Sequence, residues 1–239
     1  MIDDALLTLA LSPILVPQGI YTKKVTPKLP EPEGSREGIL GNGEPLRILI
    51  LGDSAAAGVG VDSQNDALLG QLVSKLSQYR AIEWRLLAET GLKTSEMLER
   101  LHALEAFKTD VVITSLGVND ITGGTRLKHW LEQQRELKLL LQDKFQARHI
   151  FLSSVPPMHE FPALPQPLRW FLGRRSRAMN SALNEQAALD EALAFVSVQF
   201  PMQKEFFASD GFHPSAQAYR LWSEALLEHF KERCLLPQR

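Results

Sequence analysis

Cysteine is nearly absent: 239 residues hold one. A single thiol excludes an internal disulfide framework and a cysteine-based zinc site. No apolar run reaches the ~18 residues that a membrane-spanning helix needs. Nor is there an excess of positive charge. With 26 basic and 28 acidic residues the formal net charge is −2, so no general field draws nucleic acid. The phosphate-cradling patterns G-x-x-x-x-G-K-[ST] and G-x-G-x-x-G are missing. So is the G-x-S-x-G elbow, because Ala56 stands where its second glycine belongs. What remains is ordinary globular usage, 44% hydrophobic and 23% charged, in a chain at the upper end of one domain.

Residues 5–16 are apolar, interrupted by Thr8, Ser12 and Pro13. A secretory signal would place Lys or Arg before such a stretch. Here Asp3 and Asp4 precede it, which favours a cytoplasmic protein. The stretch reads as a short helix packed on the domain, or as an interfacial helix resting on a membrane or guarding an apolar pocket. Pro27, Pro30, Pro32, Gly34, Gly38, Gly41 and Gly43 then mark an extended linker. Residues 1–45 are therefore set apart from a domain over residues 46–239.

Near-continuous apolar runs at residues 46–51, 82–88, 111–116, 150–155 and, more weakly, 192–198 fit strands covered on both faces. Helical spacing occupies residues 66–79, 94–107, 127–145 and 170–190, and a last helix follows Pro214. The alternation predicts a three-layer α/β/α sandwich. In such a sheet, ligands bind beyond the carboxyl ends of the strands.

The residues just after each run are short polar clusters. Gly52-Asp53-Ser54 follows the first, and Ser54 alone reads as a helix N-cap. Gly91 follows the second and reads alone as a turn glycine. Asn119-Asp120 follows the third, where an Asn/Asp turn is common and an aimed amide could meet an oxyanion. Near the end, Asp210 precedes His213 by three residues, close enough to hold the imidazole tautomer and leave Nε2 free as a base. Each cluster is ambiguous alone. Together they offer a nucleophile, oxyanion donors, a base and an orienter.

On these residues the chain resembles the SGNH hydrolase superfamily, the GDSL-type esterases and lipases, over residues 46–239. The first block matches as Gly52-Asp53-Ser54, with Ala55 replacing the usual leucine. The third matches as Gly117-x-Asn119-Asp120 and the fifth as Asp210-x-x-His213; the second rests mainly on Gly91. The resemblance implies a flavodoxin-like sheet of five parallel strands, order 2-1-3-4-5, and ester hydrolysis with no metal and no organic cofactor. It implies Ser54 as nucleophile, His213 as base and then acid, and Asp210 as orienter. The Ser54 and Gly91 N–H groups and the Asn119 amide become the oxyanion hole, with Asp53 and Asp120 buttressing their loops.

Beyond the fourth run lies a proline-stiffened loop rich in large apolar side chains. Met158, Phe161 and Leu164 are candidate substrate contacts there, or sandwich-edge packing. Arg169, Arg174, Arg175 and Arg177 follow, a solvated face or an attraction for an anionic group. The expected reaction is hydrolysis of lipid-like or other acyl esters. Thioesterase, lysophospholipase and carbohydrate deacetylase share the same carbonyl chemistry. A flavodoxin-like ligand-binding protein would explain the fold but not the Asp210/His213 pair, and an inactive scaffold would leave all these residue types idle.

Overall fold

The structure is a computed structural model and describes residues 4–198, 200–201 and 203–237. In chain order its elements are helix α1 (Asp4–Val25), strands β1 (Glu37–Leu40) and β2 (Leu46–Gly52), and helices α2 (Ser54–Ala57) and α3 (Leu68–Leu76). Then come β3 (Ile82–Ala88), α4 (Thr94–Ala103), β4 (Val111–Ser115), α5 (Val118–Thr122), α6 (Leu127–Phe145) and β5 (His149–Ser153). A 3-10 turn (Met158–Glu160), α7 (Leu168–Ala188), β6 (Leu193–Val196), a second 3-10 turn (Lys204–Phe206) and α8 (Ala216–Glu232) complete the chain.

The sheet order is β1-β3-β2-β4-β5-β6. The last five strands of that order are parallel, with β2 between β3 and β4. Strand side chains alternate between the two faces. Leu49, Leu51, Val112, Ile150 and Leu152 enter one core with α4, α6 and α7. Ile48, Ile50, Val111, Ile113 and Phe151 enter the other with α3 and α8. Both faces are covered, which is why the runs look continuous in sequence. Each side chain fully buried this way contributes ~1.5–3 kcal/mol.

The expected five-stranded sheet is corrected to six. The added strand, β1, pairs antiparallel with β3 at the edge and lies within the presumed linker. It is exposed along most of its length, so it carries no burial pattern to read. Its glycine marks close packing: a Cβ on Gly38 would come 2.5 Å from the Trp84 ring. The surrounding segment is also tied down. Gln64 N–H donates to Glu33 O at 2.8 Å, and Leu86 N–H donates to Arg36 O at 2.7 Å.

α1 continues well past residue 16 through both Pro13 and Pro17. Pro13 has no N–H for the carbonyl of Leu9. The Ser12 hydroxyl donates to that oxygen instead, at 2.8 Å. Leu7, Leu11 and Leu15 pack into the core cluster that contains α7. Gln18 closes the junction: its Nε2 donates to Gln166 O at 2.6 Å, and its Oε1 accepts from Leu168 N–H at 3.0 Å. Among the described residues no helix is long and apolar enough to cross a membrane.

Candidate active site

The strand order reverses direction around β2, and the crevice at such a switch point is where open α/β sheets bind ligands. β2 ends at Gly52, where a Cβ would meet Ala56 Cβ and Ser115 O at 2.5 Å each. Only glycine lets the chain turn this tightly against β4. Asp53 then caps α2, accepting from Ala55 N–H at 3.1 Å. Ser54 is thereby the first residue of a helix, where N–H groups have no intrahelical acceptor.

His213 approaches from the loop before α8. Its backbone is fixed on both sides: its carbonyl accepts from Ala208 N–H at 2.8 Å, and its N–H donates to Asp210 Oδ1 at 3.0 Å. The same Oδ1 accepts from Phe212 N–H at 2.9 Å. Asp210 Oδ2 lies 2.5 Å from His213 Nδ1, so that nitrogen carries the proton. His213 Nε2 is left as an acceptor, 2.9 Å from Ser54 Oγ. Burial pushes the Asp210 carboxyl up, but the hydrogen bonds from the His213 ring and the two N–H groups outweigh it and hold it below the usual carboxylate range. The Asp210 carboxylate therefore stays ionised next to the imidazole.

Asn119 sits in the first turn of α5, after Gly117 at φ 138°. Its Nδ2 donates to Asp53 Oδ2 at 3.2 Å and to Leu92 O at 3.1 Å. Asp120 accepts at Oδ2 from Thr94 Oγ1 at 2.9 Å and Thr94 N–H at 3.2 Å. Thr94 also receives Trp130 Nε1–H at 3.1 Å. Burial raises both carboxyls: Asp53 to about 7, against the pull of its Ala55 bond and His213, and Asp120 against its Thr94 bonds. Gly91 lies in the turn after β3 at φ 89°, and a Cβ there would meet nothing within 4 Å.

A cavity of about 60 Å³ opens beside Ser54 and His213. Leu116, Val155, Phe161, Phe212 and Trp222 are among its lining residues. Of the three candidate contacts only Phe161 reaches it. Met158 and Leu164 are corrected to core residues, buried with Phe171 and Leu172, because the 3-10 turn at Met158 rolls them under α7. The arginine cluster also divides. Arg175 donates to the carbonyls of Ile121, at 3.2 Å, and Thr125, clamping the end of α5, whereas Arg177 is exposed. Among the described residues no three His, Cys, Asp or Glu side chains are grouped to hold a metal.

Two contributors escaped the sequence reading. Thr94 is one. The other is Glu31, in the segment before β1, whose Oε1 accepts from Thr90 N–H at 2.7 Å and Thr90 Oγ1 at 2.8 Å. Arg36 pairs with Glu31 and donates to Ala88 O at 2.6 Å. These contacts brace the turn that carries Gly91.

Solved structures share this fold. One is described as a member of the lipolytic G-D-S-L family from Veillonella parvula; it is 17% identical over 78% of this chain and 98% of its own, with a TM-score of 0.62. The psychrotrophic esterase EstA from Pseudoalteromonas sp. is 22% identical over 79% of this chain and 98% of its own, with a TM-score of 0.59. A carbohydrate esterase family 2 enzyme from Corynascus thermopiles is 16% identical over 87% of this chain and 68% of its own, with a TM-score of 0.61. No curated protein matches the sequence. A profile of the GDSL-like lipase/acylhydrolase family matches residues 50–221. That span runs from β2 into α8 and holds both Ser54 and His213: the chain belongs to the GDSL-like lipase/acylhydrolase family, within the SGNH hydrolases.

Proposed function

We propose that the protein is a serine-dependent carboxylester hydrolase acting on lipid-like or other apolar acyl esters through an acyl-enzyme on Ser54. The observation that carries this reading is the line from Ser54 Oγ to His213 Nε2 at 2.9 Å, and from His213 Nδ1 to Asp210 at 2.5 Å, beside an apolar cavity.

A serine hydroxyl is a weak nucleophile at neutral pH. His213 Nε2 takes its proton as Oγ bonds to the carbonyl carbon, and Asp210 stabilises the imidazolium. Negative charge grows on the carbonyl oxygen. Its donors in this reading are the N–H groups of Ser54 and Gly91 and the Asn119 amide. That amide already faces Asp53 and Leu92 at 3.2 and 3.1 Å, so the oxyanion competes with those acceptors. A protonated Asp53 is the weaker competitor. The imidazolium next protonates the departing alkoxide, and a water activated by the same nitrogen releases the acid.

The cavity beside Ser54 is small, about 60 Å³, and lined by apolar side chains, which suits a short acyl chain. The same small cavity suits a second reading, hydrolysis of a short acyl ester on a carbohydrate, the Corynascus enzyme being described as a carbohydrate esterase. Thioester and lysophospholipid substrates fit the same carbonyl chemistry. The decisive experiment is fluorophosphonate labelling with p-nitrophenyl ester turnover. Wild type should label at Ser54, and Ser54→Ala should lose both labelling and turnover while melting normally. Retained turnover in that variant removes the mechanism.

A further inference from the structure

α1 is apolar all round but buried on one side only. Leu7, Leu11 and Leu15 face the core. The outward side presents Leu6, Leu9, Val16 and Ile20 at three- and four-residue spacing once Pro13 is included, flanked by Ile14, Tyr21 and Val25. These seven apolar side chains are 49–72% exposed. Seven side chains of this size, each roughly half exposed or more, exceed the ~300–600 Å² of the largest patch on an ordinary soluble monomer.

Charge identifies what covers the patch. Residues 5–30 contain no aspartate or glutamate, whereas Lys23 and Lys24 end the helix and Lys28 follows, all three exposed. Beside the Gln18 junction, Trp170 at the start of α7 is 43% exposed, an amphipathic ring of the kind enriched at membrane interfaces. A second copy of the same helix brings one acidic residue, Asp4 at its start, against the three lysines; anionic lipid headgroups offer them a continuous negative surface. We propose that α1 lies flat in the interface of an anionic bilayer, its outward stripe among the acyl chains and Lys23, Lys24 and Lys28 at the headgroups. Leu15 on the inner side of α1 shares one core cluster with Leu168, Phe171 and Phe161, and Phe161 is a wall of the Ser54 cavity.

The test is flotation of the full chain with vesicles of phosphatidylcholine mixed with phosphatidylglycerol, and with phosphatidylcholine alone. Wild type should float with the mixed vesicles and bind the neutral ones more weakly. Leu9→Glu combined with Val16→Glu should weaken binding at least a hundredfold, about tenfold for each buried side chain lost. Lys23→Glu combined with Lys24→Glu should weaken it at least about fivefold for each lysine, since each change removes one positive charge and adds a negative one, and added salt should weaken wild-type binding too. Both variants should hydrolyse a water-soluble ester at the wild-type rate, a readout separate from binding. Wild type that stays in solution with both vesicles overturns the proposal. So does unchanged binding by the glutamate pair, or a dimer that this pair dissociates without any vesicle association.

Discussion

Asp210→Asn isolates the tautomer argument, because asparagine matches aspartate in shape. Asp210 Oδ1 accepts two backbone N–H groups, from Phe212 at 2.9 Å and His213 at 3.0 Å, while Oδ2 accepts only from His213 Nδ1. An asparagine must place one oxygen and one NH₂ on these sites. With the NH₂ toward the backbone, two half-buried N–H donors would lose their acceptor, at up to ~1–3 kcal/mol each. The oxygen therefore stays with the backbone and the NH₂ faces the ring. His213 Nδ1 must then accept, which puts the proton on Nε2, where Ser54 needs a base. A wrong tautomer of this kind lowers kcat about 10⁴-fold, or ~5.5 kcal/mol at 1.36 kcal/mol per tenfold. Steady-state rates on p-nitrophenyl butyrate, beside a thermal melt, give the measurement. The fold should survive, although the variant loses the stabilisation of the ionised carboxylate. That contribution is complete above the ordinary carboxylate pKa near ~4 and disappears as pH falls through the lower folded value. A variant that melts normally and retains more than about a tenth of wild-type kcat would refute the tautomer account.

Asn119→Ala should lower kcat ~10²–10³-fold with little change in KM, the loss expected for one oxyanion donor; a raised KM with unchanged kcat would instead assign the amide to ground-state binding. Burial of Asp53, with its pKa at about 7 against 3.8 for an ordinary aspartate, makes folding take up a proton between those values, so this group's contribution falls as pH rises from about 4 to 7. The deficit approaches roughly 4 kcal/mol above that window. Asp53→Asn should thus gain on wild type in denaturant melts by up to that amount between pH ~4 and ~8, and a pH-independent difference would contradict a neutral buried carboxyl. Across p-nitrophenyl esters, kcat/KM should peak at short acyl chains and move to longer chains in Phe161→Ala, because Phe161 walls the small cavity; a wild-type optimum at long acyl chains would show that the cavity beside Ser54 does not hold the chain.

The parallel strands and the trio Ser54, His213 and Asp210 were legible because each leaves a local mark. Doubly covered strands read as unbroken apolar runs, and Asp210 is only three residues from the ring it contacts. Ser54 stands two residues after Gly52, the glycine that ends a strand and that nothing larger could replace. β1 left no such mark, since an exposed edge strand needs no apolar pattern and Gly38 resembles a linker residue until Trp84 is seen against it. The extent of α1 was hidden by two prolines, the first offset by a side-chain hydroxyl. Met158 and Leu164 differ from Phe161 only in which way a proline-rich loop turns, and that depends on α7. Thr94 and Glu31 act on partners 26 and 59 residues away, at separations where sequence spacing carries no signal.

Glu31 gives the stretch ahead of the sheet a share in the geometry of the site. A chain trimmed to start at Leu46 would keep every parallel strand and the whole Ser54–His213–Asp210 line. It would lose the carboxylate that holds Thr90, and with it the anchor for the neighbouring glycine. Such a shortened protein, however soluble and well folded, would be a poor guide to the full chain's catalytic power, because one rim of its crevice would hang without a moored corner.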